Sequence, residues 1–321
     1  MKIAMVERDS VGRDIDVSCF ETFGEVVYYP STASEDAAGN IADADIVICN
    51  KLPINAHTIA ACPDIKLVCN TATGYDNIDL EYCNQRGITV TNVRDYSTAS
   101  VAQHTFALLF YVLEKLRSYD EYVKSGQYMN CASFSYFDYG FTELEGRTWG
   151  IVGMGNIGRK VAKIAEAFGC NVIFYSASGN STCTDYRRVD FDTLLARSDF
   201  LSLHCPLTDR TRDLMDREAF SKMKKDAILI NVARGPVVNQ EALYEALTEG
   251  RIAAAGLDVL TKEPMQKDNP LFRLKDSEKL IITPHMAWGS VEARGRVVEG
   301  VYKNIEAFLR GEKRNVVNEP V

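Results

Sequence analysis

The chain has 321 residues, 46% hydrophobic and 25% charged. At roughly 100–200 residues per domain, that is enough apolar material for two folded cores. Thirty-six basic against 44 acidic side chains leave a net charge of −8. This argues against nucleic acid and anionic membranes as partners, so an anionic ligand would need locally concentrated positive potential.

Nine cysteines without a C-x-x-C pair speak against disulfides and zinc and for reduced thiols. The N-terminus, MKIAMVERDS, lacks the long apolar core of a signal peptide, and no apolar run reaches the ~18 residues of a membrane span. A soluble, cytoplasmic protein is expected. In the first hundred residues, strand-like stretches at 2–7, 25–29, 45–49, 66–70 and 88–92 alternate with helix-like ones at 36–42, 55–61 and 80–86. This rhythm predicts a parallel sheet covered on both faces.

From 97 to 117, side chains at Val101, Thr105, Leu108, Leu109, Val112 and Leu116 recur at helical spacing behind a Ser97 or Thr98 cap. One long helix, suited to bridging two lobes, is expected. The aromatic, polar segment 119–141 reads equally as a dimer arm or an irregular wrap. A second alternating series begins at 148, with strands at 148–153, 171–175, 200–204, 227–232, 254–259 and 280–283. Helices at 156–168, 191–197, 216–222 and 240–249 separate them, and a last helix at 290–310 lies beyond the sheet. Six strands in this order fit a doubly wound sheet, so the fold class is α/β with two doubly wound domains.

The stretch Gly153-Met154-Gly155-Asn156-Ile157-Gly158 follows a buried-type strand, TWGIV, and opens an amphipathic helix. The first glycine permits the tight turn, the second lets a pyrophosphate approach the backbone, and the third lets helix and strand pack closely. The helix N-terminus offers N–H groups and partial positive charge to the phosphates. An acidic residue is expected about 20 residues on, at the ribose. Here the next strand runs into Ser176-Ala177-Ser178-Gly179-Asn180, with no carboxylate. NAD is the expected cofactor, with NADP also admitted.

Arg234, Glu263 and His285 each follow one of three successive strands. In a parallel sheet such residues converge on one crevice. Reduction of a 2-oxo acid builds negative charge on the carbonyl oxygen, and a histidine is suited to protonate it. A carboxylate orients and stabilises that imidazolium, which suits Glu263. A planar fork of donors suits the substrate carboxylate, which points to Arg234. Of the other histidines, His57 reads as a surface helix residue and His104 as structural. His204-Cys205-Pro206 ends a strand at the crevice rim, where contact with the adenosine side is expected.

The segments NKLPI, ATGYDNID, TNVRDYSTASVAQHT, VGMGNIG, HCPLT, NVARGPVV, GLDV, KEP and PHMAW stand in an order in which the chain resembles the D-2-hydroxyacid dehydrogenases, and among them the glycerate dehydrogenases (hydroxypyruvate reductases). The resemblance implies a homodimer of two-lobed subunits with a cleft between the lobes and the interface within 97–141. It implies a smaller, flavodoxin-like substrate domain of residues 1–98 plus 290–321 and a Rossmann cofactor domain of 99–289. It assigns Arg234, Glu263 and His285 to catalysis. Cofactor contacts fall to Thr105, Val232, Ala233 and Asp258, the last near the nicotinamide carboxamide. Ala72, Thr73 and Gly74 match a loop whose N–H groups hold the substrate carboxylate. Trp288 either walls the pocket or packs a domain joint.

Three alternatives share the scaffold. A phosphoglycerate-type dehydrogenase is the nearest, although the chain ends at Val321 without a regulatory module. A formate dehydrogenase would not need the Glu–His pair. A dinucleotide-sensing corepressor would act through surface peptide recognition.

Overall fold

In the N-terminal part, four-residue apolar runs such as IVIC and LVCN are buried along their whole length, as strands covered on both faces must be. The computed structural model describes residues 1–320. Its contacts divide the chain into two compact units, Met1–Ser97 together with the segment from Gly289 onward, and Thr98–Trp288.

The first unit holds strands β1 (Lys2–Met5), β2 (Glu25–Tyr28), β3 (Ile46–Cys49), β4 (Leu67–Asn70) and β5 (Thr89–Thr91). They lie in the order β2-β1-β3-β4-β5, and every pairing is parallel. This is the flavodoxin-like order. Short helices α1 (Ala37–Asn40), α2 (Ala56–Ile59) and α3 (Leu80–Gln85) connect them. Asn55 caps α2 in a capping box with Thr58, and Asp79 caps α3. The last helix of the chain packs against β4 in this unit. Gly300 in that helix has no room for a side chain, because a Cβ there would lie 2.4 Å from Val93.

The second unit opens with α4 (Thr98–Leu113) and α5 (Leu116–Lys124). The single long helix expected over 97–117 is therefore broken. Lys115 takes a left-handed conformation, φ +51°, and ends the first helical run. Strands β6 (Thr148–Val152), β7 (Asn171–Tyr175), β8 (Arg187–Arg188), β9 (Phe200–Leu203), β10 (Ile228–Asn231), β11 (Ala254–Leu257) and β12 (Leu280–Ile282) form one sheet. Its order is β12-β11-β10-β9-β6-β7-β8, all parallel. This is the Rossmann arrangement with seven strands rather than the expected six. The addition, β8, is two exposed arginines paired to Ile173 and Phe174, and it carries no apolar signal.

Helices α6 (Asn156–Ala167), α7 (Phe191–Arg197), α8 (Arg217–Lys222) and α9 (Gln240–Thr248) complete the second unit, and the chain ends with α10 (Val291–Leu309) in the first. Alternation along the strands feeds two apolar cores. Ile151, Ile228 and Ile230 join Trp149 and Phe106 in one, while Val152 and Leu229 join Leu203 and Leu243 in the other. Helix α4 packs on β10, β11 and β12. The small residues of β11, AAGL, let it come close.

A Cβ on Gly256 would lie 2.9 Å from both Leu108 of α4 and Ile230 of β10. Gly256→Ala is therefore expected to overpack this contact and destabilise the second unit by about 1–3 kcal/mol. Urea unfolding followed by Trp149 fluorescence checks this. An unchanged midpoint would show that the helix does not need the glycine.

Candidate active site

Strands β10, β11 and β12 end at Asn231, Leu257 and Ile282, and the segments that follow carry Arg234, Glu263 and His285. Nδ1 of His285 lies 2.6 Å from Oε2 of Glu263. The other carboxylate oxygen accepts the main-chain N–H of Leu260 at 2.8 Å, which fixes the orientation of Glu263. An ionised carboxylate only accepts, so Nδ1 is the donor and Nε2 is the ring position left to exchange a proton. The two side chains are 22% and 31% exposed, so the pair is held by protein yet within reach of a ligand.

His285 sits on an unusual backbone. Its φ is +52°, in the left-handed region that side-chain-bearing residues rarely adopt. Asp258, at the end of β11, holds this turn. Its carboxylate is 1% exposed. One oxygen accepts from Thr283 Oγ1 at 2.6 Å and from Met286 N at 2.8 Å, and the other from Ala287 N at 2.8 Å. The main-chain N–H of His285 donates to Asp258 O at 2.8 Å. The turn is thus pinned on both sides of the histidine.

Arg234 is half-buried in extended conformation, and its Nη1 donates to Ala233 O at 2.9 Å. The following Gly235 lets the loop after β10 touch the loop after β11. A Cβ there would stand 2.0 Å from the carbonyl of Leu260, the residue whose N–H holds Glu263. The loops of Arg234 and Glu263 are in this way packed backbone to backbone.

The glycine-rich turn opens a cleft of about 720 Å³. Gly153, Gly155 and Asn156 line it at the N-terminus of α6, with Ser176, His204, Cys205 and Pro206 around them. Gly153 has φ +93° and lies against His204 and Cys205, and a Cβ on Gly158 would stand 2.2 Å from the carbonyl of Gly153. A Cβ on Gly155 would meet nothing within 4 Å. Two of the glycines are needed for packing, and the middle one keeps open the space a diphosphate would occupy. The residues present fit a dinucleotide.

Trp149 Nε1 donates to Ser202 Oγ at 2.9 Å, and that hydroxyl lies 3.0 Å from His204 Nε2. Burial pushes the His204 imidazole down to about 3, so it is neutral in the cleft wall. Its Nδ1 is buried without a partner among the described residues. Ser176 Oγ lies 3.4 Å from Ser178 Oγ, and Arg188 reaches this turn by donating to Gly179 O at 2.8 Å.

The remaining expected cofactor residues lie in or against the cores of this unit. Thr105 is wholly buried on the core face of α4, with its hydroxyl on Val101 O at 2.8 Å. Asp258 is likewise turned inward, onto the His285 turn. Gly158 packs on Gly153, Ile157 packs at the edge of the Trp149 core, and Val232 and Ala233 are nearly buried. Trp288 packs against that same core. His57 is exposed, as expected.

In the first unit, the loop Ala72-Thr73-Gly74 has all three carbonyls taken. Val93 N donates to Ala72 O, Asn92 Nδ2 to Thr73 O at 2.7 Å, and Asn70 Nδ2 to Gly74 O at 2.7 Å. The N–H groups of the three residues donate to no acceptor among the described residues. Asn70 and Asn92 were not singled out from the sequence, because the bonds that make them matter span turns rather than a motif. All nine cysteines are free, and no group of three or more metal-ligating side chains occurs among the described residues. No described helix is long and apolar enough to cross a membrane.

Comparison with known proteins bears on this geometry. A hydroxypyruvate reductase of Blautia hydrogenotrophica is 38% identical over 311 residues, 95% of this chain and 96% of that protein. A glycerate dehydrogenase of Methylorubrum extorquens is 37% identical over 317 residues, 98% of each. A D-lactate dehydrogenase of Aquifex aeolicus, solved with NAD and lactic acid, superposes with a TM-score of 0.87 at 29% identity over the whole of both chains. The family model "D-isomer specific 2-hydroxyacid dehydrogenase, NAD binding domain" matches residues 106–287, the stretch that holds the glycine-rich turn and the His285–Glu263 pair. The chain therefore belongs to the D-isomer specific 2-hydroxyacid dehydrogenases, NAD-dependent oxidoreductases that act on a CH–OH donor.

Proposed function

We propose that this enzyme reduces a small 2-oxo acid of the hydroxypyruvate or glyoxylate type to the D-2-hydroxy acid, and runs the reverse oxidation. The observation that carries the reading is the 2.6 Å pair of His285 and Glu263, which is an acid–base device suited to a carbonyl oxygen. The names of the hydroxypyruvate reductase and glycerate dehydrogenase relatives support the substrate class. The bound nicotinamide cofactor supplies the hydride.

The chain's own residues do the rest. Arg234 supplies a planar fork of donors for the substrate carboxylate. In the first unit, the N–H groups of Ala72, Thr73 and Gly74 suit a carboxylate. As the carbonyl carbon gains hydride, the proton on His285 Nε2 passes to the oxygen and the imidazole becomes neutral. Glu263 stabilises the imidazolium before that transfer and keeps Nδ1 as the donor, so Nε2 is always the exchanging atom. Oxidation uses the same atoms in reverse. Gly153, Gly155, Asn156, Ile157 and Gly158 keep the diphosphate end. Ser176, His204, Cys205 and Pro206 keep the ribose and adenine end.

The chain's partner is a second copy of itself. In the segment beyond α5, Tyr122 stacks on Tyr136 with ring centroids 3.9 Å apart, and Tyr119 donates to Tyr139 O. The segment is thus folded on itself, yet Met129, Phe134 and Phe137 remain 86%, 90% and 82% exposed. Apolar exposure of this density on one segment marks an interaction surface.

His285→Ala is expected to lower kcat by about 10²–10⁴-fold while NADH still binds. Glyoxylate and hydroxypyruvate turnover, with cofactor affinity from fluorescence, test this. Wild-type turnover without His285 would remove it from the reaction.

At the ribose, Ser176 and Ser178 repel neither a hydroxyl nor a 2′-phosphate, and Arg188 adds positive charge to the turn. Weak discrimination with a lean towards NADH is expected. Ser176→Asp should raise the NADH preference by an amount on the order of 1–3 kcal/mol. The ratio of kcat/KM values for NADH and NADPH in both proteins decides it; an unchanged ratio would mean that Ser176 does not read the ribose.

Sedimentation tests the partner. The wild type should run as a dimer of 35.8 kDa chains. Phe134→Glu with Phe137→Glu should shift it towards monomer, and a double variant that stays dimeric would place the interface elsewhere.

A further inference from the structure

The long first helix of the larger unit carries a histidine that the reaction scheme leaves unused. His104 lies one turn before Leu108, the residue that rests on Gly256. The close approach of α4 to β11 therefore brings His104 down onto the segment after β12. Its Nε2 is 2.9 Å from Thr283 Oγ1 and 3.6 Å from Asp258 Oδ1. The side chain is 17% exposed against 1% for Asp258.

Hydrogen counting fixes the direction of each bond. The Asp258 carboxylate only accepts, so the single hydroxyl proton of Thr283 goes to Asp258 at 2.6 Å. Thr283 Oγ1 must then accept from His104, which places a proton on Nε2 of His104. The N–H thus polarises the hydroxyl that binds the carboxylate, and hydrogen bonds in series strengthen one another. That carboxylate holds the main-chain N–H groups of Met286 and Ala287, and the turn so held keeps His285 in its left-handed backbone. Such a conformation persists only where its surroundings over-determine it.

We propose that His104 is a positioning residue for the acid–base step, acting through Thr283 and Asp258 on the turn that carries His285. The proposal rests on the reading of His285 as the proton donor. His104 does not touch the reacting atoms. Its loss would loosen the turn, so that the Nε2 of His285 spends less time where the carbonyl oxygen needs it. That affects the chemical step and leaves cofactor and substrate binding largely alone.

The test compares His104→Ala, His104→Gln, Thr283→Val, Thr283→Ser and the double variant His104→Ala/Thr283→Val in the full-length enzyme. The readouts are kcat and KM with glyoxylate, NADH affinity and melting temperature. His104→Ala and Thr283→Val should each lower kcat about tenfold, the loss of one hydrogen bond to a charged network. KM and NADH affinity should stay within about twofold. A glutamine at 104 places an amide N–H where Nε2–H stands, so His104→Gln should recover most of the rate, as should Thr283→Ser.

The double variant should be no slower than Thr283→Val alone, because the two residues act in one chain. The proposal is overturned if His104→Ala keeps wild-type kcat, or if the two losses multiply. It is also overturned if glutamine does no better than alanine while kcat, NADH affinity and melting temperature fall together. Should His104→Ala not fold, Thr283→Val against Thr283→Ser decides the same point. Wild-type turnover by His285→Ala would instead overturn the acid–base reading itself, and that result is separable from all of these.

Discussion

The carboxylate of Asp258 is removed from water, and a buried charge is tolerated only when its oxygens are fully engaged. Here one hydroxyl and two main-chain N–H groups are engaged, with an imidazole close by. Each donor comes from a segment that would otherwise be free to choose its path. The requirement to satisfy one charge thus dictates the course of the chain from Thr283 to Ala287, and with it the backbone of His285. Arg234 and Glu263 depend on a second constraint of the same kind, the absence of a side chain at Gly235, which lets two strand-end loops meet. Parallel strands bring these loops to one sheet edge, and the carboxylate and the glycine then fix the distances.

An acidic chain that handles anionic ligands must generate positive potential without relying on net charge. Main-chain N–H groups are suited to this, and each of the two units carries a set of them. In the larger one, the twelve-residue helix α6 points its N-terminus at the cleft, and Gly155 keeps the approach open. In the smaller one, the carbonyls of Ala72, Thr73 and Gly74 are drawn inward by Val93, Asn92 and Asn70. The side-chain oxygens of Asn70 and Asn92 are buried and meet no donor among the described residues. An unsatisfied buried acceptor costs on the order of 1–3 kcal/mol.

Much of this was legible in the sequence. Fully buried strands read as short apolar runs, so TWGIV, FLSL and ILIN announced a covered parallel sheet. The glycine-rich turn and the strand-end positions of Arg234, Glu263 and His285 followed from that rhythm. What escaped has physical reasons. Strand β8 is two exposed arginines, paired only at the sheet edge. The break at Lys115 involves neither glycine nor proline, so no local signal marks it. The parts played by Asp258, Asn70 and Asn92 rest on hydrogen bonds whose geometry no periodicity encodes.

His104 illustrates the limit of calling a residue structural. Read from sequence, it is a histidine inside an apolar helix, and burial against a neighbour is the ordinary fate of such a side chain. In the fold it is also a hydrogen-bond donor to a hydroxyl whose only proton is committed to a charge. A hydrophobic residue of similar volume would fill the space but leave that hydroxyl oxygen without its donor. An amide would keep the donor and lose only the ring. Packing and hydrogen bonding therefore make different demands at this one position, and only the second reaches His285, because it is transmitted through the carboxylate that shapes the turn.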